Sequence, residues 1–328
     1  MPKFSVFLTF FFSLALGIMA QQSTATMEVL SLPTSVRAAA MGGENVSVVD
    51  DNAGLTLHNP ALLYNVSPRT LSFDFATYAA GSKMMGAQYV HSFGERHMGT
   101  AFMRYLSAGS MDETATDGTV LGSFTPKDIM FGAGYCYLLS DYWTGGANLK
   151  FTYSHLADFS AFSVAVDAGL NYYNPDKDLS FGIVARNVGA QIANYNDCTE
   201  RVPFSLQTGF SKAIGHSPVH VNVTAVDLTK WNHRQYYTTN EDGTVKWTTN
   251  ILNHLVVGLD YKAPSDLFWL SLGYNFRRAY ELKAAGSTSL AGLTAGGGLH
   301  VKGFSLGLSY ARYHRAASSI SASAAYSF

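Results

Sequence analysis

The feature that most constrains this chain is a series of about fourteen segments, each roughly ten residues long, in which apolar and polar side chains alternate. In one segment Phe162, Val164 and Val166 share a face, and Ser163 and Asp167 lie on the other. Side chains alternate across a β-strand with period two, and a tilted strand needs about ten residues to cross a bilayer. The predicted strands are 71–78, 84–93, 97–106, 128–139, 144–155, 161–173, 178–187, 203–212, 218–227, 254–262, 267–277, 290–301, 303–312 and 319–328.

The lengths of the connections give a second, independent indication. Every second connection is tight, at 94–96, 140–142, 174–177, 214–217, 263–266 and 302–303, and those between them are on average longer. Short periplasmic turns and long outer loops are typical of outer-membrane barrels, in which an even number of strands returns both termini to the periplasm. The last segment also ends in an aromatic residue, Phe328. The predicted fold is therefore all-β, a transmembrane antiparallel β-barrel of about fourteen strands in the bacterial outer membrane.

Composition fits this location and argues against nucleic acid as a partner. The chain of 328 residues is 47% hydrophobic but only 14% charged, with a net charge of −1. Residues 1–20 are predicted to be a signal peptide, with Lys3 before an apolar run, so the mature chain is expected to start at Gln21. The expected organisation is a signal peptide at 1–20, an irregular plug segment at 21–70 and the barrel at 71–328.

The plug segment carries turn chemistry and one short helical pattern. A helix is expected from Val36 to Met41, and the candidate plug motif consists of Arg37, Gly42, Gly43, Asp50, Asp51, Asn59 and Pro60. A barrel of fourteen strands has room for such a segment in its lumen. We favour an architectural role for these residues, and recognition of a partner or substrate is the alternative.

Polar residues on the less apolar face of the strands are predicted to project into the lumen. They are Asp74, Asn148, Lys150, Asp167, Asn171, Arg186, Asn222 and Asp260. Charges shielded from water need partners, so we expect them to pair with one another and with plug residues such as Arg37, Asp50 and Asp51. The alternative is a path for a ligand or an ion.

The outer loop at 228–253 is a candidate partner-binding site. It holds Trp231, His233, Arg234, Tyr236, Tyr237 and Trp247, and Asp242-Gly243 predicts a hairpin that extends two strands above the membrane. Trp, Tyr and Arg often anchor protein interfaces. An aromatic girdle at the lipid headgroups, or a self-packed loop, explains the same residues equally well.

The sequence carries no specific catalytic, metal-binding or cofactor-binding motif. The string from Gly303 to Gly307 matches G-x-S-x-G, but it lies inside a predicted strand, where the strand-to-helix turn of a nucleophile elbow cannot form. Cys136 and Cys198 are predicted at opposite ends of the barrel, which makes a disulfide geometrically poor. We therefore expect neither an enzyme nor a cofactor, although a Ser/His pair assembled across strands remains the alternative.

The stretches Leu32–Gly43, Val46–Asp51 and Asn59–Leu62 resemble the amino-terminal signature of the PorV/PorQ proteins. Those proteins are barrels similar to the FadL fatty-acid transporter, found with the type IX secretion system of Bacteroidota, and the length here is more similar to PorQ. The resemblance implies an anchor for a PorZ-like surface protein, supporting the attachment of secreted cargo to lipopolysaccharide. Implied partners are therefore PorZ, other type IX components, outer-membrane lipid and lipopolysaccharide. The alternatives are a PorV-like cargo shuttle and a FadL-type transporter of hydrophobic small molecules.

Overall fold

In the computed structural model, fourteen strands form one closed antiparallel barrel. The structure describes residues 27–78, 81–114, 116, 119–194, 201–215, 217–231, 247–281, 291–314 and 317–328. The strands of the barrel are β1 (Thr70–Thr77), β2 (Lys83–Ser92), β3 (His97–Ser107), β6 (Lys127–Ser140), β7 (Trp143–Leu156), β8 (Phe159–Asn174), β9 (Leu179–Ala193), β10 (Ser205–Ala213), β11 (Val219–Ala225), β12 (Leu255–Lys262), β13 (Phe268–Asn275), β14 (Leu293–Val301), β15 (Phe304–His314) and β16 (Ala317–Ser327). Two further strands, β4 (Met111–Thr114) and β5 (Val120–Phe124), form a separate hairpin in an outer loop.

The fold predicted from the alternating pattern is confirmed. Each of the fourteen predicted segments coincides with one strand of the barrel, and β1 closes the ring by pairing with β16, with Leu71 opposite Tyr326. The prediction missed the β4–β5 hairpin. It also ended β9 too early, because this strand continues to Ala193 beyond a bulge.

The wall has an apolar outer face and a polar inner face. In β13, the side chains of Leu270 and Leu272 are each 55% exposed, whereas Ser271 between them is 2% exposed. In hydrocarbon every backbone polar group needs an internal partner, which the closed ladder provides. The barrel therefore spans the outer membrane, with the short turns in the periplasm and the long loops outside.

The segment before β1 lies inside the barrel. It contains α1 (Val36–Ala40) and single 3₁₀ turns at Glu28–Leu30, Ala53–Leu57 and Pro60–Asn65. Pro60 lies against Gly169 of β8, and Val36 lies against Gly307 of β15, which is seven places away around the ring of fourteen. A segment that contacts opposite sides of the wall fills the lumen as a plug.

The plug reaches the wall through glycines that face inward. At Gly146, Gly273 and Gly296 an added Cβ would lie 2.6 Å from a plug atom, in Pro60, Met41 and Ala40 respectively. Six of the seven strands from β7 to β13, all but β11, carry a glycine opposite the plug, and β14 and β15 continue the series. The inner wall is therefore shaped to the plug backbone, rather than to side chains alone.

Two short helices lie above the outer end, α2 (Trp247–Asn253) and α3 (Phe276–Glu281). The predicted hairpin around Asp242-Gly243 lies outside the described residues. On either side of it, β11 ends at Ala225 and Trp247 begins a helix. In the part of the chain that the structure describes, no helix is both long and apolar enough to span a bilayer.

Candidate functional site

Arg37 forms a buried, bidentate ion pair between plug and wall. Ser35 caps the N-terminus of α1 by accepting hydrogen bonds from the backbone of Arg37 and Ala38, which fixes the direction of the Arg37 side chain. The guanidinium donates to both carboxylate oxygens of Asp260 in β12, at 2.7 and 2.9 Å, and its Nε donates to Asp50 at 2.6 Å. It also lies 4.2 Å from the ring centroid of Trp269. Arg37 is completely buried.

Asp50 joins this centre to a second cation nearer the periplasm. Lys262 Nζ lies 3.4 Å from Asp50 Oδ1 and donates to the carbonyl of Val49 at 2.6 Å. Burial by itself raises the pKa of Asp50, but Arg37 and Lys262 outweigh it and lower the pKa to about 2. The carboxylate therefore stays ionised at physiological pH.

The other predicted plug-motif residues fix the plug backbone. Gly42 and Gly43 end α1 in the left-handed region, with φ of 96° and 95°, and the Gly42 N–H donates to Thr294 of β14 at 2.8 Å. Asn59 caps the turn that begins at Pro60 and donates to the carbonyl of Val46 at 2.8 Å. Asp51 accepts from the backbone N–H of Ser67 at 2.8 Å. These contacts fit the architectural role, and a role in recognition stays a prediction.

Sequence reasoning missed a second ionic centre around Glu44, at the outer side of the plug. Glu44 Oε2 accepts from Arg186 of β9 at 2.9 Å and contacts His58 Nδ1 at 3.2 Å. Burial raises the pKa of Glu44, yet Arg186, His58 and Arg278 lower it to about 2, while burial lowers the pKa of His58. The sequence offered one signal for this site, since Glu44 directly follows Gly43 of the plug motif.

All eight polar residues predicted to face the lumen do so, and the charged ones are paired. Lys150 Nζ lies 2.6 Å from Asp167 on the neighbouring strand, and Arg104 donates to Asp74 at 2.9 Å. Asp260 and Arg186 pair with the plug through Arg37 and Glu44. Asn148, Asn171 and Asn222 are buried. The structure therefore confirms the interpretation favoured from the sequence, in which these residues pair with one another and with the plug.

Two of the six candidate residues in the outer aromatic loop are described, and His233, Arg234, Tyr236 and Tyr237 lie outside the described residues. The Trp231 ring packs against that of His254 in a tilted arrangement, with centroids 4.3 Å apart, and its Nε1 donates to the carbonyl of Leu228 at 2.6 Å. Trp247 is 75% exposed at the start of α2. Asn250 of that helix donates to the carbonyl of Trp231 at 3.1 Å, so both tryptophans belong to one small outer surface.

Two cavities between the plug and the wall are lined by several charged side chains. The periplasmic cavity of about 290 Å³ is lined by Arg37, Asp50, Asp51, Lys262, Asp266, Trp269 and His300, among others. The outer cavity of about 320 Å³ lies between the plug and the outer ends of β9 to β13. The lining of the outer cavity is mostly polar, whereas that of the periplasmic cavity also includes Phe268, Trp269, Leu299 and Leu306. Only the outer cavity therefore lacks the apolar lining expected of a pocket for a hydrophobic molecule.

The structure pairs one serine with one histidine at the periplasmic end. His300 Nδ1 lies 2.6 Å from Ser305 Oγ, because these residues are opposite each other in the β14–β15 hairpin. Among the described contacts, no acidic side chain hydrogen-bonds His300, and Ser305 lies inside a strand, so the site has no triad and no nucleophile elbow.

The described residues form neither a metal site nor a disulfide. No group of three or more His, Cys, Asp or Glu side chains is placed to hold a metal ion there. Cys136 is fully buried and forms no disulfide, and Cys198 lies outside the described residues.

Comparison with known proteins identifies a fold. No family model and no curated protein matches the chain. The toluene transporter TodX of Pseudomonas putida has a similar structure, with a TM-score of 0.55 and 13% identity over 88% of this chain and 96% of that one. The CymD monoaromatic hydrocarbon channel gives 0.54 and 13% over 93% and 99%, and a Pseudomonas aeruginosa FadL homologue gives 0.53 and 11% over 90% and 98%. The chain is thus a FadL-like outer-membrane barrel of fourteen strands, and at this identity the likeness shows the fold alone.

Proposed function

We propose that this protein acts without catalysis as a surface anchor, holding a soluble PorZ-like partner at the outer membrane in a type IX secretion system. The observation that carries the proposal is the filled lumen. Arg37 and Glu44 tie the plug to β12 and β9, and wall glycines receive the plug backbone on the sides between. A barrel closed in this way suits a fixed support better than a conduit.

The outer rim supplies the binding surface of this proposal. Trp231 and Trp247 lie together above the membrane, 45% and 75% exposed, and Trp contributes large contact areas to interfaces. The amino-terminal resemblance to PorV/PorQ proteins supplies the identity of the partner and of the secretion system. None of the comparisons with solved structures bears on that system. A PorV-like cargo shuttle would use the same surface.

The second candidate is a passage for hydrophobic small molecules, and the comparisons with solved structures favour it over the anchor. TodX is a toluene transporter, CymD is a hydrocarbon channel, and both share the fold of this chain. The charged lining of the outer cavity opposes this candidate, because a hydrophobic solute gains nothing by displacing water from charged groups.

The test is capture of the tagged protein from outer membranes of its own host, solubilised in detergent. We expect a large soluble surface protein to co-purify with the wild type and to be lost from the Trp231→Ser, Trp247→Ser double variant. The matched control is Phe93→Ser, which removes an aromatic residue that is 68% exposed at the periplasmic end. The control should retain the partner.

A parallel arm measures uptake of toluene by cells with and without the protein. Toluene uptake that requires the protein, together with capture of lipid alone, would replace the anchor by the passage. Retention of the partner by the double tryptophan variant would exclude the outer aromatic surface as its docking site.

A further inference from the structure

The β4–β5 hairpin, in the outer loop between β3 and β6, is exposed to solvent on both of its faces. All four residues of β4 and four of the five residues of β5 are exposed. They include Met111, Val120 and Leu121, whose side chains are 43%, 59% and 66% exposed. An isolated two-stranded hairpin is at best marginally stable in water, and apolar side chains gain free energy only when they are buried. The hairpin therefore has the properties of a surface that another molecule covers.

The outer edge of β4 is open. In the described part of the chain, β4 pairs with β5 alone. The backbone hydrogen bond from Ala108 to Pro126, at 3.0 Å, continues the β3–β6 ladder toward the hairpin, so the free edge of β4 lies on the side of β2. The connection between β1 and β2 is short on that side, because β1 ends at Thr77 and β2 begins at Lys83. The edge of β4 thus lies beside a low part of the outer rim, with room for one more strand.

The hairpin is acidic on both faces. Asp112 and Glu113 are neighbours in β4, so their carboxylates lie on opposite faces. Residues 108–126 form the whole connection between β3 and β6, and they contain a third acidic residue, Asp117, but no Lys, Arg or His. Either face would bring a carboxylate onto a bilayer or onto phosphate-bearing lipopolysaccharide, at a cost in desolvation and repulsion. Two copies of the hairpin would repel each other for the same reason. Charge complementarity therefore favours a basic protein segment over lipid and over a second copy.

We propose that β4 receives a basic β-strand of a soluble partner protein, which extends the hairpin to a three-stranded sheet. In strand addition, main-chain hydrogen bonds at the open edge supply affinity and alternate side chains supply specificity. Opposite charges stabilise residues that face each other across an antiparallel pair. The added strand therefore carries two adjacent Lys or Arg residues opposite Asp112 and Glu113, and an apolar residue opposite Met111.

This inference rests on the proposed anchor role, because it names a second contact for the same soluble partner. The strands β3 and β6, which carry the hairpin, lie nearly opposite β11 and β12 in the ring. The loop between β11 and β12 carries Trp231 and Trp247. A partner that binds the hairpin and the tryptophans is held from two sides of the barrel mouth.

The first measurement is the fluorescence anisotropy of labelled hexapeptides added to the purified full chain in detergent. One peptide has two central lysines between valines with threonine at each end, and a second has glutamates in place of the lysines. A third is the lysine peptide with every backbone nitrogen methylated, which keeps the charge and cannot form a ladder. We expect saturable binding of the lysine peptide alone, weakened by added salt.

The double variant Asp112→Lys, Glu113→Lys should weaken binding of the lysine peptide by about tenfold and should allow the glutamate peptide to bind. The matched control is Asp158→Lys, which reverses an exposed charge in the turn between β7 and β8, away from β4. Its affinity for each peptide should equal that of the wild type. All three side chains are exposed, so we expect every variant to keep the barrel fold.

The second measurement repeats the capture from detergent-solubilised outer membranes with the Asp112→Lys, Glu113→Lys variant. We expect this variant to lose the soluble partner that the wild type and Asp158→Lys retain. Retention of the partner by the double variant would overturn the hairpin site and leave the anchor role in place. A wild type that captures no soluble partner would overturn the anchor role, and the peptides then decide the binding chemistry of the hairpin.

The hairpin proposal is overturned if the lysine peptide does not saturate at concentrations on the order of 10 mM. Equal binding of the methylated peptide would show attraction by charge without strand addition, and would overturn it as well. Recovery of the wild type with lipopolysaccharide alone, or as a dimer that the double variant loses, would assign the edge to lipid or to a second copy instead.

Discussion

The contact between Arg37 and Asp260 offers the sharpest test of how the plug is held. Arg37→Met keeps most of the side-chain volume and removes the charge, so Asp260, which is 1% exposed, retains only Ser271 as a side-chain donor, at 2.7 Å. Removing one partner of a buried ion pair costs about 3–5 kcal/mol, because the other charge stays buried without compensation. The contact with Trp269 adds about 1 kcal/mol.

The matched control is Lys262, a more exposed cation that shares Asp50 with Arg37 and does not contact Asp260. Lys262 also binds Asp50, but its side chain is 26% exposed and the ion pair is 3.4 Å long. Solvent screening limits such pairs to about 0–1 kcal/mol. Arg37→Met should therefore destabilise the plug several times more than Lys262→Met. The double variant Arg37→Met, Asp260→Asn should cost less than the sum of its single variants by about 2 kcal/mol.

The assay is the rate of thermolysin cleavage within residues 27–69 of the folded barrel, which reports the free energy of opening the plug. A loss of about 3 kcal/mol raises the open population by about 100-fold. Equal cleavage rates for Arg37→Met and Lys262→Met would refute the reasoning, since the rate would then not depend on the buried pair. Additive costs in the double variant would refute the direct coupling.

Two further predictions concern packing and pH. Gly273→Ala should destabilise the plug by about 1–3 kcal/mol, because the added Cβ would meet the backbone of Met41. Gly145→Ala should be nearly neutral, because its Cβ would meet only flexible leucine side chains. The rate of thermolysin cleavage compares the two variants. The folded-state pKa values of Glu44 and Asp50 are about 2, below the ordinary values of 4.5 and 3.8. The two carboxylates therefore stabilise the folded protein fully above about pH 5, and this stabilisation is lost as the pH falls from there to about 2. Thermal unfolding across that range should show the loss, smaller in Glu44→Gln, and a midpoint that stayed constant down to about pH 2 would contradict it.

The barrel could be predicted from the sequence because its signals are local. Alternation in Phe268–Asn275 follows from the two faces of one strand, and the tight turns need only a few neighbouring residues. The inward direction of Asp260 and Arg186 follows from the same period. Local signals did not predict the helix Trp247–Asn253, which packs beside α3.

The residues that pair across the lumen could not be predicted from the sequence, because no sequence periodicity relates one member of a pair to the other. Glu44 and Arg186 are separated by 142 residues, and Arg37 and Asp260 by 223. The inward glycines were equally hidden: each is a single small residue within its strand, and only closure of the ring aligns Gly182, Gly209 and Gly258 against the plug. The chain has 30 glycines, but its composition does not indicate which of them face inward.

The positions of the two ionic centres limit how anything could cross this barrel. Arg37 is held in the periplasmic half and Glu44 in the outer half, only seven residues apart on the same stretch of plug. Displacing that stretch breaks both centres together, at about 3–5 kcal/mol each, which is comparable to the whole stability of many folded domains. A solute that crossed without displacing the plug would therefore have to go around it, past the charged side chains that line the two cavities.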